Sequence, residues 1–246
     1  MFPSSWHEIT VGEYIELKEI ENDDDLSFFG KNLEKICLLT DSDEWDEKPA
    51  NQIFKVIKEN DWLVSKIPGN YKKEIDDFKL IPFHKLTLAE WIDIEGYIIK
   101  DKILNVIALI YKQHKVDEWG NIEFEPYKYK TDDRLSKFEN CYITDVYGAI
   151  EDVVKFRENV LSNYSELFVN LDEDFEATEE DKEFLSEKEI EEIKQDIKKQ
   201  NERKEFAWQK LLDDISGGDW TRIEKLLEMP VLFVFNMLLM KEKFRD

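Results

Sequence analysis

Two segments of the chain, residues 9–17 and 86–94, share one pattern of hydrophobic and polar positions. They read ITVGEYIEL and LTLAEWIDI, and each of the nine positions holds an identical or chemically similar residue in both copies. Both contain T-x-x-E, in which the Thr hydroxyl accepts a hydrogen bond from the helix and the Glu carboxylate accepts one from the Thr amide. The pattern therefore predicts two helices that begin near residues 11 and 88 in the same way.

Apolar residues at helical spacing follow each of these segments and predict a second and a third helix in both copies. The third helices are predicted around residues 53–57 and 146–154. We therefore predict two divergent three-helix modules, over residues 6–66 and 84–168. Two unrelated helical hairpins that use the same capping residues are the alternative that the sequence leaves open.

Two short inserts show the alternation of apolar and polar residues that is typical of strands. One lies at residues 71–83, before the second module. The other lies at residues 116–129, where Gly120 and Asn121 are typical turn residues. Each insert predicts a short β-hairpin.

The C-terminal third of the chain has a different composition. Residues 172–193 contain 12 acidic and 2 basic side chains, and Glu, Lys, Gln and Arg then dominate up to a Gly-Gly pair. Since these are strong helix formers, a long charged helix is predicted from about residue 186 to residue 215. A helical hairpin follows, in which Asp219 caps the first helix and a proline precedes the second.

The last helix is predicted to be apolar nearly all round at its start. A helix of this kind is buried in its own domain or against a partner, and both interpretations remain open at this point. Its apolar stretch, residues 231–240, is too short to span a bilayer, which needs about 20 residues. The candidate partner-binding residues are Val231, Leu232, Phe233, Phe235, Leu238 and Leu239.

Together these elements predict a mainly α fold. Two divergent three-helix modules with short β-hairpin inserts come first, then a long charged helix and a C-terminal helical hairpin. The predicted domains are consecutive. Residues 1–70 form the first helical module, residues 71–170 a β-hairpin with the second helical module, and residues 171–246 the acidic linker, the long charged helix and the apolar C-terminal helix.

The charge of the chain limits what it can bind. Of its 246 residues, 57 are acidic and 34 are basic, which gives a net charge of −23. Nucleic-acid binding needs clustered Lys and Arg to neutralise phosphates, and an anionic membrane surface would repel an acidic chain. We therefore expect neither nucleic acid nor a membrane among its partners.

The residues provide no recognisable reactive centre. The three histidines and two cysteines lie outside ligand motifs, and no phosphate loop, nucleophile elbow or dinucleotide fingerprint is present. Residues 172–183 space acidic side chains as an EF-hand does, but Ala177 stands where that loop needs Gly. We therefore predict no catalytic residue, no metal site, no cofactor and no enzymatic activity.

The run Ile9–Leu17, followed by residues 36–40 (ICLLT), resembles the helical start of assembly chaperones of tailed bacteriophages. These are small cytoplasmic proteins that help to assemble the tail or the baseplate. This resemblance rests on helix-capping residues and hydrophobic spacing. It implies a helical protein without catalytic residues.

The second predicted module contains residues 104–111, Tyr127, Arg134, Phe138 and the run DVYGA at 145–149. In these residues it resembles virion-cluster proteins of gut phages, including crAss-like ones. It implies that the partners of the chain are other phage virion or tail proteins. The two resemblances together cover residues 8–160, and the C-terminal third of the chain takes no part in either.

We therefore expect a non-enzymatic bacteriophage protein that assembles or forms part of the virion, in its tail or neck region. Its two isolated cysteines suit a reducing compartment, so we expect it in the host cytoplasm, in the virion, or in both. The sequence leaves open whether it is a transient chaperone or a resident subunit, and whether it forms a homo-oligomer.

Two alternatives come from other functional classes. The first is an acidic DNA mimic that inhibits a host nucleic-acid enzyme. The second is a hydrolase that holds a metal ion through carboxylates. The concentration of charge in residues 172–193 counts against the mimic, because a mimic should space its carboxylates along a surface as DNA spaces its phosphates.

Overall fold

The computed structural model describes residues 2–127, 132–168, 208, 211–213 and 215–243. These residues are mainly helical, as the sequence predicts, and they include a four-stranded antiparallel sheet. The helices are α1 (Val11–Asn22), α2 (Phe28–Thr40), α3 (Ala50–Glu59), α4 (Leu88–Ile99), α5 (Ile103–Ile110), α6 (Asp132–Glu139), α7 (Ile143–Asn163), α8 (Ser165–Phe168), α9 (Trp220–Leu227) and α10 (Val231–Lys243). The strands are β1 (Glu74–Ile75), β2 (Phe78–Leu80), β3 (Tyr111–Val116) and β4 (Ile122–Phe124).

The sheet joins strands from both predicted inserts, in the order β1-β2-β3-β4. β2 pairs with β3 so that Phe78 lies opposite Gln113. β3 begins at Tyr111, directly after α5, which is earlier than the predicted start of the second hairpin at residue 116. In the turn between β3 and β4, Gly120 has a φ of 82°, in the left-handed region that glycine adopts most easily.

Two compact units make up the chain, and neither is continuous in sequence. The first unit contains residues 1–80 and 102–155. The second unit contains residues 81–101 and 156–246. The start of the second unit, with α4, is therefore inserted in sequence between β2 and α5 of the first unit.

This division differs from the predicted consecutive domains, residues 1–70, 71–170 and 171–246. The physical reason is that elements distant in sequence pair within each unit. In the first unit β2 pairs with β3 across the inserted residues. In the second unit α10 packs against α4.

The core of the first unit is closed by aromatic rings and aliphatic side chains. The Phe138 ring centroid lies 5.1 Å from that of Phe78 and 5.7 Å from that of Tyr111. The Tyr111 hydroxyl donates a hydrogen bond to the Lys72 carbonyl (2.6 Å), and burial raises the pKa of this phenol above its usual value. Other fully buried side chains of this core are Ile9, Val11, Ile107, Ile110, Ile143, Val146 and Ala149.

In the first unit, the residues before α1 pair with those before α7. The Val11 amide donates to the Cys141 carbonyl (2.8 Å), and the Ile143 amide donates to the Ile9 carbonyl (2.8 Å). These two hydrogen bonds form an isolated antiparallel bridge that joins the starts of two helices about 130 residues apart in sequence.

In the second unit, the residues before α4 pair with those before α10 in the same way. The Leu88 amide donates to the Met229 carbonyl (2.9 Å), and the Val231 amide donates to the Leu86 carbonyl (2.9 Å). An antiparallel bridge forms here too. The two units therefore repeat one backbone arrangement.

The helix bounds follow the same repeat. α4 begins and ends 77 positions after α1, and α9 begins and ends 88 positions after α6. α10 begins 88 positions after α7. The apolar spacing predicts instead that residues 146–154 of α7 correspond to residues 53–57 of α3. That prediction is corrected here, because the backbone pairing relates α7 to α10.

Both predicted capping boxes are present. The Thr10 hydroxyl accepts from the Glu13 amide (3.2 Å), and the Thr10 amide donates to the Glu13 carboxylate (2.7 Å). In the second unit the Thr87 hydroxyl accepts from the Glu90 amide (3.3 Å), and the Thr87 amide donates to the Glu90 carboxylate (2.9 Å). α1 and α4 therefore start as their sequences predict.

We expect the Thr87→Ala substitution to lower the free energy of unfolding by about 1 kcal/mol, because the Glu90 amide loses its acceptor. Thr87→Ser is the control, since it keeps the oxygen and should retain most of that stability. Urea unfolding followed by circular dichroism measures both. Equal losses in the two variants would contradict the role of the capping oxygen.

Most of the predicted long helix and the whole acidic segment 172–193 lie outside the described residues. Trp208, residues 211–213 and residues 215–216 are helical. After them Gly217 and Gly218 have φ values of 64° and 79°. The Gly217 amide donates to the Asp213 carbonyl (2.8 Å), so this helical stretch ends at the predicted Gly-Gly pair.

Candidate protein-binding surface

The candidate surface is built on the helical hairpin α9–α10 of the second unit. Asp219 caps α9, as predicted. Its carboxylate accepts hydrogen bonds from the Thr221 hydroxyl (2.7 Å) and the Thr221 amide (3.0 Å), which lower the pKa of Asp219. α10 then starts at Val231, and the bond from Val231 to Leu86 fixes which side of α10 packs against α4.

One side of α10 belongs to the core of the second unit. Of the six predicted partner-binding residues, Val231 and Phe235 are fully buried and Leu238 is 8% exposed. The Phe235 ring packs against those of Trp91 (6.1 Å between centroids), Tyr164 (5.3 Å) and Trp208 (5.9 Å). For these three residues the structure favours the own-core interpretation over the partner interpretation.

The opposite part of α10 exposes large apolar side chains. Phe233, Met237 and Met240 are 54%, 40% and 61% exposed. They lie four and three positions apart, which places them on one side of a helix. We call this surface, together with Asn236 between them, the α10 face. Met237 and Met240 are absent from the predicted set, although their spacing from Phe233 could have identified them.

A groove of about 380 Å³ runs beside the α10 face. The predicted residues Leu232 and Leu239 line it from α10 and are half-buried. Its other lining residues are Phe156, Asn159, Val160, Asn163, Tyr164 and Asn236. The Tyr164 hydroxyl donates to the Asn236 side-chain oxygen (3.0 Å). The lining thus combines apolar side chains with carboxamide groups that both donate and accept hydrogen bonds.

The chemistry of this surface suits contact with another polypeptide. Methionine is flexible and polarizable, so a Met-containing surface adapts to the shape of a partner. A row of large apolar side chains on the exposed side of a folded helix is the kind of patch that marks a binding surface. No helix of the described part of the chain is long and apolar enough to cross a bilayer.

Possible metal ligands and cysteine thiols are the other side chains that bear on chemical function. The described residues contain no cluster of three or more His, Cys, Asp or Glu side chains that could hold a metal ion. The EF-hand-like residues 172–183 lie outside the described part of the chain. Cys37 and Cys141 are free thiols. Burial, with smaller effects from the Asp76 and Asp145 carboxylates, raises the pKa of the Cys141 thiol, which keeps its reactive thiolate form rare at neutral pH.

Comparisons of the chain with protein-family models, with curated proteins and with solved structures find no match. The α10 face and the adjoining groove are the candidate functional features of the described residues.

Proposed function

We propose that this chain is a non-enzymatic assembly protein of a tailed bacteriophage. In this proposal it helps to build the virion, or forms part of it, in the tail or neck region. It acts through contacts with other phage proteins in the host cytoplasm, in the virion, or in both.

The observation that carries the proposal is the exposure of Phe233, Met237 and Met240 on a helix whose other side is buried. An isolated exposed apolar residue is ordinary on a protein surface, but three on one side of a helix beside a groove are not. The proposal that this is a phage protein also depends on the resemblance of residues 8–160 to tail-assembly and virion-cluster proteins.

The net charge of −23 supports the same proposal. Repulsion between acidic chains keeps them soluble and apart, which protects an exposed apolar surface until a partner binds. A protein that must remain unassembled until its partner arrives would benefit from this property.

The test uses the whole chain with a tag at its N terminus, far in sequence from α10. The tagged chain is purified from phage-infected cells, and co-purifying proteins are identified by mass spectrometry against a tag-only control. We expect one or more tail or neck proteins to be enriched. Recovery of no virion component would contradict the proposal.

Mass spectrometry of purified phage particles then separates two forms of the proposal. A resident subunit should be present in the particles, and a chaperone should be present in the infected cell and absent from the particles. Deleting α10 is unsuitable as a binding test, because it would also remove the core residues Val231 and Phe235.

A further inference from the structure

The internal repeat relates the α10 face to a surface of α7 in the first unit, which another segment of the chain covers. Because α10 begins 88 positions after α7, each residue near the start of α7 has a counterpart on α10. The counterparts of Phe233, Asn236, Met237 and Met240 are Asp145, Gly148, Ala149 and Asp152.

In the first unit this surface of α7 is covered by residues 66–72, which form neither helix nor strand. The Lys72 ammonium bonds the Asp145 carboxylate (2.8 Å), and the Lys72 amide donates to the Asp145 carbonyl (2.9 Å). The Tyr71 hydroxyl donates to the Asp152 carboxylate (2.9 Å). Ala149, between them, is fully buried.

The covering segment lies very close to α7 and runs antiparallel to it. A Cβ added to Gly148 would lie 2.0 Å from the Gly69 carbonyl oxygen, so the two backbones are in contact there. Lys66, at the start of the segment, pairs with Glu151 (3.0 Å), one turn further along α7. The seven residues therefore follow the helix surface along their whole length.

The equivalent surface of the second unit carries different side chains. Acidic Asp145 and Asp152 are replaced by Phe233 and Met240, and the buried Ala149 is replaced by Met237, which is 40% exposed. The acidic Glu151 has Leu239 of the groove as its counterpart. A segment that binds this surface would therefore meet apolar side chains where residues 66–72 meet carboxylates.

We infer that the α10 face and its groove bind a non-helical, apolar and uncharged segment of another protein, in the position that residues 66–72 take on α7. This inference rests on the proposed function and names the kind of partner that its surface accepts.

The side chains that line the groove favour a non-helical segment over a helix. A non-helical segment brings backbone amides and carbonyls that need hydrogen-bond partners when they are buried. The carboxamides of Asn159, Asn163 and Asn236 can supply both donors and acceptors. An amphipathic helix has satisfied its own backbone groups and would leave these carboxamides facing apolar side chains, which costs free energy.

Charge disfavours a second copy of this chain as the occupant. Each copy carries a net charge of −23, and the α10 face offers no ion pair to offset the repulsion. The favoured occupant is therefore a segment of a different polypeptide.

The test places the photoreactive amino acid p-benzoylphenylalanine at position 237 of the full chain, expressed in phage-infected cells. The matched control places it at Phe28, which is 74% exposed in the first unit. Illumination is followed by digestion and mass spectrometry to identify the linked segment. We expect a product specific to position 237, linked to an apolar, uncharged segment of another protein.

A synthetic peptide of that linked segment is then titrated against the purified chain by fluorescence anisotropy. We expect Met237→Lys to weaken its binding at least tenfold and Phe28→Lys to leave it unchanged. A cross-link to a second copy, a cross-link to residues 169–207 of the same chain, a charged or helical linked segment, or no product specific to position 237 would each overturn the inference.

These outcomes are distinguishable from failure of the proposed function. If virion proteins co-purify with the chain and the cross-link at position 237 does not reach another protein, the inference fails and the proposed function stands. If the linked apolar segment belongs to a protein unrelated to the virion, the inference holds and the proposed function fails.

Discussion

Replacing Phe235 with Ala is expected to lower the free energy of unfolding of the second unit by about 3–5 kcal/mol. The ring is fully buried and packs against Trp91, Tyr164 and Trp208, so its loss leaves a cavity among aromatic side chains. Urea unfolding measures the loss, and hydrogen exchange of the α10 amides assigns it to this unit.

Phe233→Ala is the matched control, two positions away on the same helix. Phe233 is 54% exposed, so its truncation should change stability by no more than about 0.5 kcal/mol. The pair of variants separates burial of α10 in its own core from binding of α10 to a partner. Phe235 packs in the core, and Phe233 lies on the surface. Equal losses for the two variants would contradict the orientation of α10.

Gly148→Ala is expected to destabilise the first unit by about 3 kcal/mol or more, at the upper end of the cost of overpacking. The added Cβ would lie 2.0 Å from the Gly69 carbonyl oxygen, a distance at which the backbone must move. Residues 66–72 should then separate from α7, with loss of the ion pair between Lys72 and Asp145. Hydrogen exchange of residues 66–72 and of α7 measures this separation.

The control is Gly96→Ala on α4, where a Cβ would meet no atom within 4 Å. This substitution should stabilise the chain by about 0.5–1 kcal/mol, because Ala has the higher helix propensity. If Gly148→Ala proved as mild as Gly96→Ala, residues 66–72 would not lie on α7 as described. The comparison between α7 and α10 would then lose its basis.

Local features of the fold could be predicted from the sequence because they depend on residues close together. The two capping boxes need only Thr and the Glu three positions later, and both form at Thr10 and Thr87. The Gly-Gly pair at 217–218 ends a helical stretch for a similar reason, since glycine adopts positive φ easily.

Which parts of the chain make up each unit could not be predicted in the same way. It depends on backbone pairing between residues about 130 and 140 positions apart, as between Val11 and Cys141 or Leu88 and Met229. The sequence does contain a trace of the second half of the repeat, because residues 134–138 (RLSKF) match residues 222–226 (RIEKL). That match lies at a spacing of 88 positions rather than 77, so a search at the first spacing misses it.

The candidate surface was predicted in part. The sequence predicts six partner-binding residues within the apolar stretch 231–240, but a helix that is apolar on all sides does not show which side is covered. The pairing of Val231 with Leu86 decides this, since it turns Phe235 and Leu238 inward and leaves Phe233 exposed. The spacing of Met237 and Met240 from Phe233 places them on the same side of the helix, but it does not show that this side is exposed. Their exposure follows from the orientation of α10.

The most direct test of the central claim compares the unaltered chain with two variants in purification from phage-infected cells. The variants are Met237→Lys, on the α10 face, and Phe28→Lys, at an exposed apolar residue of the first unit. We predict that the unaltered chain and Phe28→Lys recover the same virion protein, and that Met237→Lys, still folded by circular dichroism, loses it. Equal recovery by all three chains would contradict the claim that this protein acts through the exposed side of α10.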